Sequence, residues 1–252
     1  PRTRTSVPER RRAPRTSALD RAHEPVERST RQLALVAATN VAAQQTRYAR
    51  AANDSLVRRA LRGERVDVTP AMSSLSMPTD SGMPVELWTA DGRRVAFVGN
   101  DLRTAMTVAP GQPELPERIT RAIGGAAGPR TDSIQYGPLY GENGRVHFWI
   151  AMPVRERGRL AGYITHQRRI AQSATTMRTL RDLAGDSVTL YYRNVDRSFW
   201  ASVSGIPLAP HATTDTVVGI ATTGGGERLI VHEERVGSTP IVIGMSLPEP
   251  AI

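Results

Sequence analysis

The order of short strand-like runs and turn signals constrains this chain most. Val85–Thr89 and Arg94–Val98 flank Ala90-Asp91-Gly92-Arg93, and Asp-Gly between apolar runs marks a hairpin. Residues 99–131 then form a long connection, with a helical pattern at Leu115–Ile123 and a glycine-rich stretch at 124–128. Three more strands are predicted at Ser133–Tyr140, Val146–Val154 and Leu160–Arg168, with turns at 141–144 and 155–159. The same order then returns. A helix is expected over Ser173–Ala184, ending at Gly185. Strands follow at Val188–Arg193, Phe199–Val203, Thr216–Ala221, Glu227–Val236 and Thr239–Leu247. The longer connection, Gly205–Asp215, again comes after the second strand. A hairpin, an excursion and a meander, given twice, lead to an α+β fold with two mainly antiparallel five-stranded sheets.

Ahead of these strands, Leu33, Val36, Ala37, Val41, Gln44, Tyr48, Ala51, Leu56 and Ala60 recur near helical spacing. Ser29 or Thr30 is the expected cap and Gly63 the stop, so one helix is predicted over 29–63. About 30 helical residues reach roughly 45 Å, long enough to lie along both sheets or to pair with a second copy. Leu33, Asn40/Val41, Tyr48 and Leu56 supply the stripe for either arrangement. Residues 1–28 read as a basic, disordered arm, residues 64–170 as a first module and residues 171–252 as a second.

All 33 basic residues are Arg, and 15 of them lie in the first 65 residues against 6 acids. The remaining chain is neutral, with 18 of each sign. The charge therefore belongs to the arm, where it suits phosphates of nucleic acid or of lipid head groups. Cysteine is absent, which removes disulfides, thiolate metal sites and a cysteine nucleophile. The five histidines form no metal-binding pair, and there is no Gly-x-Ser-x-Gly elbow. Catalysis is not expected, nor a metal or a cofactor. No apolar run reaches the roughly 18–20 residues that span a bilayer. The chain opens on Pro1 rather than Met, and a fragment of a longer protein is expected.

Three segments carry a family likeness: Val85–Arg93; Val146–Val154 with Gly158–Tyr163; and Leu180–Gly185 with Val188–Trp200. Together with the element order they resemble the double-Cache (dCache) family, the PAS-like extracellular sensors of bacterial histidine kinases, chemoreceptors and related membrane signalling proteins. The resemblance covers about residues 29–247. It implies a long N-terminal helix followed by two PAS/Cache-like modules, the first membrane-distal and the second membrane-proximal. It further implies a place on the periplasmic or extracellular face of the inner membrane, as part of a transmembrane protein. In many such sensors only the distal module binds ligand.

Strand alternation then selects candidate site residues. Val146, Phe148, Ile150 and Met152 should pack on the long helix. Arg145, His147, Trp149 and Ala151 should face the other way, toward a cavity roofed by the long connection. Trp149 is suited to stack on a ligand, and Arg145 or His147 to meet an anionic or acceptor group. Tyr136 and Tyr163, on neighbouring strands, supply hydroxyls. The bland reading makes Trp149 core, and Arg145 and His147 a wet strand end. The second module offers Tyr191, Arg193, Trp200 and His232, and Tyr191-Tyr192 must place one ring on each face.

Two functions follow. The first is an extracytoplasmic sensor domain for a small molecule, homodimeric through the long helix and coupled to the membrane by flanking segments. The second is a soluble, non-enzymatic interaction protein whose Arg-rich arm binds nucleic acid or an acidic partner. The neutral modules favour the first and make nucleic acid the weaker expectation.

Overall fold

The computed structural model describes residues 13–76, 83–99, 133–170, 178, 188–209, 219–222 and 225–249 (backbone only for 13–22). Three helices, α1 (Ala13–Ala52), α2 (Ser55–Leu61) and α3 (Thr69–Ser73), lead into the strands. The first sheet contains β1 (Val85–Thr89), β2 (Arg94–Val98), β3 (Gln135–Tyr136), β4 (Tyr140–Glu142), β5 (Arg145–Glu156) and β6 (Arg159–Arg169). Its order is β2-β1-β6-β5-β3, with β4 also on β5. The second contains β7 (Thr189–Asn194), β8 (Trp200–Ser202), β9 (Pro207–Leu208), β10 (Ile220–Thr222), β11 (Arg228–Arg235) and β12 (Ile241–Pro248). Its order is β10-β11-β12-β7-β8-β9. Every pairing is antiparallel.

The α+β class and the two-sheet order agree with the sequence reading, but among the described residues each sheet has six strands rather than five. The predicted strand Ser133–Tyr140 divides into β3 and β4 around Gly137-Pro138, because Pro138 has no N–H to give a ladder. In the second sheet Pro207–Leu208 adds a short edge strand on β8. The helical patterns at Leu115–Ile123 and Ser173–Ala184, and the roofs expected from 99–131 and 205–215, fall largely outside the described residues.

The long helix is displaced from its predicted span. It starts at Ala13, so the arm expected to be disordered through residue 28 is helical from there. Val26, 4% exposed, packs with Leu190, Val203 and Met245 of the second sheet and anchors the helix before Ser29. At the other end the helix breaks at Asn53-Asp54. Asp54 accepts a hydrogen bond from the Leu56 amide (2.7 Å) and so caps a separate α2. Gly63, with φ +87°, ends α2 as expected.

α1 lies against both sheets. Its later turns, with α2, bury Tyr48, Ala51, Ala52, Val57 and Ala60 against Val85, Leu87, Ile150, Met152, Val154 and Ile164. Its middle buries Ala34 against Val146, Ala201, Ile241 and Ile243. Each such aliphatic side chain contributes about 1.5–3 kcal/mol by leaving water. Leu33, Val41 and Leu56 also pack inward on these cores, and Tyr48 is 1% exposed. The stripe offered for a dimer seam is thus consumed inside the molecule. Both sheets therefore turn one face to the helix and one face away from it.

The candidate ligand face

The far face of the first sheet is assembled by register. In β1, Val85 and Leu87 enter the helix-side core, so Glu86 and Trp88 point away. Glu86 pairs with Thr165 and Trp88 with Tyr163; Thr165 in turn pairs with Ala151, and Gln167 with Trp149. Phe97 lies opposite Glu86 on β2. Gly162 makes the β1–β6 approach possible, since a Cβ there would lie 2.1 Å from the Trp88 carbonyl oxygen and 2.7 Å from Leu61.

Glu86 is the charged centre of this face, at 1% exposure. Arg94 Nη1 donates to its Oε1 at 3.1 Å, and Trp88 Nε1 donates to its Oε2 at 3.3 Å and to Thr165 Oγ1 at 3.1 Å. The Arg94 guanidinium also lies 6.0 Å from the Trp88 ring centre and 5.7 Å from that of Phe97. Burial pushes the Glu86 carboxyl above its ordinary range, against the pull of Arg94.

A second polar group lies on β5, β4 and β6. Gln167 Nε2 donates to the Tyr140 hydroxyl at 2.7 Å and to Glu142 Oε2 at 3.1 Å. His147 stacks on Tyr140, ring centres 5.9 Å apart. Burial lowers the His147 pKa, only partly offset by Glu142, and keeps the imidazole neutral near pH 7. Trp149 and Tyr163 share an apolar cluster with Ala151, Tyr140 and Leu160. Burial pushes the Tyr163 phenol up. Among the described residues, His147 Nδ1, Trp149 Nε1 and Gln167 Oε1 are buried without a hydrogen-bond partner.

The structure divides the five residues selected from sequence. Trp149, His147 and Tyr163 come together on the far face, all buried. Arg145 does not join them; it is exposed at the start of β5, opposite Glu142. Tyr136 is turned the other way, because it pairs with Ile150 rather than Trp149 and so shares the helix side. Its hydroxyl donates to the Val41 carbonyl of α1 at 3.4 Å. Sequence reasoning missed Glu86, Trp88, Arg94, Thr165 and Gln167. The available signal was a Glu alternating with Val and Leu inside Val85-Glu86-Leu87-Trp88-Thr89.

The matching face of the second sheet is closed on itself. Arg193 Nε donates to Glu233 Oε1 at 2.6 Å, and its Nη2 also meets the Glu233 carboxylate. The Tyr191 hydroxyl donates to the same carboxylate at 3.0 Å. Trp200 lies under the Arg193 guanidinium (5.6 Å) and against Tyr191 (5.1 Å). The Tyr191 ring occupies the space over Gly244, where a Cβ would come within 2.3 Å of it. Tyr192 takes the helix side, as the one-ring-per-face expectation requires. His232 departs from the other three: it bonds Glu234 at 3.1 Å and meets His23 of α1, ring centres 5.9 Å apart. Among the described residues no group of His, Asp and Glu is placed to hold a metal ion, and no helix is long and apolar enough to cross a membrane.

No family model matches the chain, and no curated protein matches it. Solved structures do. The ligand-binding domain of the Pseudomonas fluorescens chemoreceptor CtaA, in complex with L-alanine, superposes with a TM-score of 0.56 at 13% identity, covering 92% of this chain and 97% of that one. The ligand-binding domain of the Pseudomonas aeruginosa PAO1 amino acid chemoreceptor PctB, in complex with L-Arg, gives 0.55 at 15% identity, covering 93% and 97%. A domain of a putative sensory box/GGDEF family protein from Vibrio parahaemolyticus gives 0.53 at 10%, covering 93% and 97%. The chain therefore has the fold of these sensor domains, the double-Cache architecture that its sequence resembles.

Proposed function

We propose that this chain is the extracytoplasmic ligand-sensing part of a bacterial transmembrane signalling protein, and that it binds a small molecule on the far face of its first sheet. The observation that carries this reading is the contrast between the two far faces. On the first, the Glu86 carboxyl, paired with Arg94, and the buried rings of Trp88, Trp149 and Tyr163 stand beside buried ring and amide atoms with unused hydrogen-bonding capacity. The second face has a like pair in Arg193 and Glu233, but among the described residues it has no buried side-chain nitrogen or oxygen without a partner. A mostly apolar face with a few convergent polar groups is the usual form of a small-ligand site. Glu86 suits an ammonium group and Arg94 a carboxylate. A ligand carrying both is the class to test first. The similar domains of CtaA and PctB, solved with L-alanine and L-Arg, support that choice.

In this reading residues 64–170 form the membrane-distal module, residues 171–252 the proximal one, and the function is binding rather than catalysis. The signal is a population shift: the ligand favours one placement of the first sheet against α1, and α1 carries it onward. Self-association runs along the outer side of α1, where Leu35 (68% exposed) and Val36 (58%) lie beside exposed Thr39, Ala42 and Ala43.

A thermal-shift screen with amino acids, organic acids and amines tests the proposal. One class should raise the melting temperature, since binding to the native state stabilises it. Trp149→Ala should fold and lose the shift. Failure of every compound at millimolar concentration, or a shift that survives Trp149→Ala unchanged, contradicts it.

A further inference from the structure

The buried atoms without partners on the far face of the first sheet differ in type, and their types select a ligand group. Trp149 and Gln167 are direct neighbours across the β5–β6 ladder, and His147 lies two residues before Trp149 on the same side of β5. All three are more than nine-tenths buried. Trp149 Nε1 is a donor only. The orientation of the Gln167 amide is set by Glu142: Nε2 donates to Glu142 Oε2 at 3.1 Å, and an ionised carboxylate only accepts. Gln167 Oε1 is therefore an acceptor, and among the described residues it has no partner. His147 hydrogen-bonds the Glu142 backbone in the sense that favours the protonated ring, so the ring donates. Nδ1 has no partner among the described residues, which leaves that bond, and its proton, to Nε2. In the neutral ring Nδ1 is then a second acceptor. The face thus presents one N–H donor and two acceptors. A primary carboxamide is their complement, with one carbonyl oxygen and two N–H groups. A carboxylate in the same place would set its oxygens against Gln167 Oε1 and His147 Nδ1, and an alkyl group would leave all three atoms unpaired.

We propose that the ligand of the first sheet is an α-amino acid with a primary carboxamide in its side chain, whose oxygen accepts from Trp149 Nε1 and whose N–H groups donate to Gln167 Oε1 and His147 Nδ1. The inference rests on the far face being the ligand site. Gln167 stands two residues along β6 from Thr165, the residue opposite Glu86. Glu86 and Gln167 are thus diagonal neighbours, roughly 7–8 Å apart. An ammonium on Glu86 and an amide on Gln167 fit one small molecule with a short side chain. Trp149, Gln167 and His147 then discriminate among ligands that Glu86 holds alike.

L-Glutamine is the probe, with binding followed by calorimetry on the full chain. L-Glutamate, which puts a carboxylate in place of the amide, and L-norvaline, which puts a methyl group there, are the controls. Glutamine should bind at least about tenfold more tightly than either, because a site built to hydrogen-bond a polar group rejects the analogue that lacks it. Trp149→Phe keeps an aromatic ring and loses the N–H, and should cut the preference for glutamine over norvaline at least about fivefold. Gln167→Met should cut it likewise. Trp200→Phe, on the second sheet, should leave the preference as in the wild type. Equal binding of glutamine and norvaline, or of glutamine and glutamate, overturns the carboxamide while leaving the far face a ligand site. So does a preference that Trp149→Phe leaves unchanged. Binding of none of the three at tens of millimolar overturns the carboxamide together with the amino-acid class, and the wider thermal-shift screen then decides for the face itself. If Gln167→Met does not fold, Trp149→Phe and the two control ligands decide.

Discussion

Glu86 and His166 are buried titratable side chains of the first module, on opposite faces of its sheet. Burial raises the Glu86 carboxyl, so the folded state holds its proton to higher pH than the unfolded chain does. That contribution is present below the ordinary carboxyl range and is lost as pH rises through the folded value. Glu86→Gln should therefore gain stability relative to wild type as pH rises above about 4.5, while losing ligand affinity; melting curves at pH 4 and pH 7 compare the two. His166 behaves in the opposite sense. Burial, aided by Arg168, lowers its pKa to about 3, and the Tyr48 hydroxyl meets its Nδ1 at 2.5 Å. The unfolded chain takes up a proton below about 6.5 and the fold does not, so stability falls as pH drops from there toward 3. Tyr48→Phe should cost about 1–3 kcal/mol at pH 7 in denaturant titration, because it orphans a buried ring nitrogen. An unchanged midpoint would remove this link from the helix–sheet seam. Trp149 was legible in the sequence because alternation within one strand put it opposite Phe148 and Ile150. Tyr136 was misjudged because its face depends on the register of β3 against β5, which one strand's pattern does not contain.

At the scale of elements, α1 holds the sheets on one side and leaves Leu35 and Val36 exposed on another. Leu35→Glu with Val36→Glu should leave the melting temperature within a few degrees of wild type and abolish any dimer, as measured by sedimentation. A monomeric wild type, or a dimer that survives both changes, would remove self-association along this side. In the second sheet Arg193, 7% exposed, neutralises Glu233. Arg193→Ala should cost about 3–5 kcal/mol in denaturant titration, because it strands a carboxylate in a largely buried place. A loss below about 1 kcal/mol would mean the pair is effectively solvated. Hairpin chemistry made β1 and β2 readable to the residue, since Asp91-Gly92 fixes the turn and Gly92 takes φ +86°. The ends of α1 were not readable that way. The start depends on Val26 finding a partner more than 160 residues later, and the break at Asn53-Asp54 on a local cap.

The whole molecule repeats one plan with two different interiors. Both sheets lean on one helix, yet one far face is a closed arrangement of Arg193, Glu233, Tyr191 and Trp200, while the other keeps Glu86, Arg94 and its aromatic rings around buried atoms with unused capacity. The chain has three tryptophans, and they divide between the faces: Trp88 and Trp149 on the first, Trp200 on the second. Fluorescence titration with the ligand found by screening therefore reports which face is occupied. Trp200→Phe should retain a saturable change in emission with unaltered affinity. The double variant Trp88→Phe, Trp149→Phe should leave the Trp200 emission flat. A saturable change that follows Trp200 and is absent from the other two would contradict the assignment of the ligand to the first sheet.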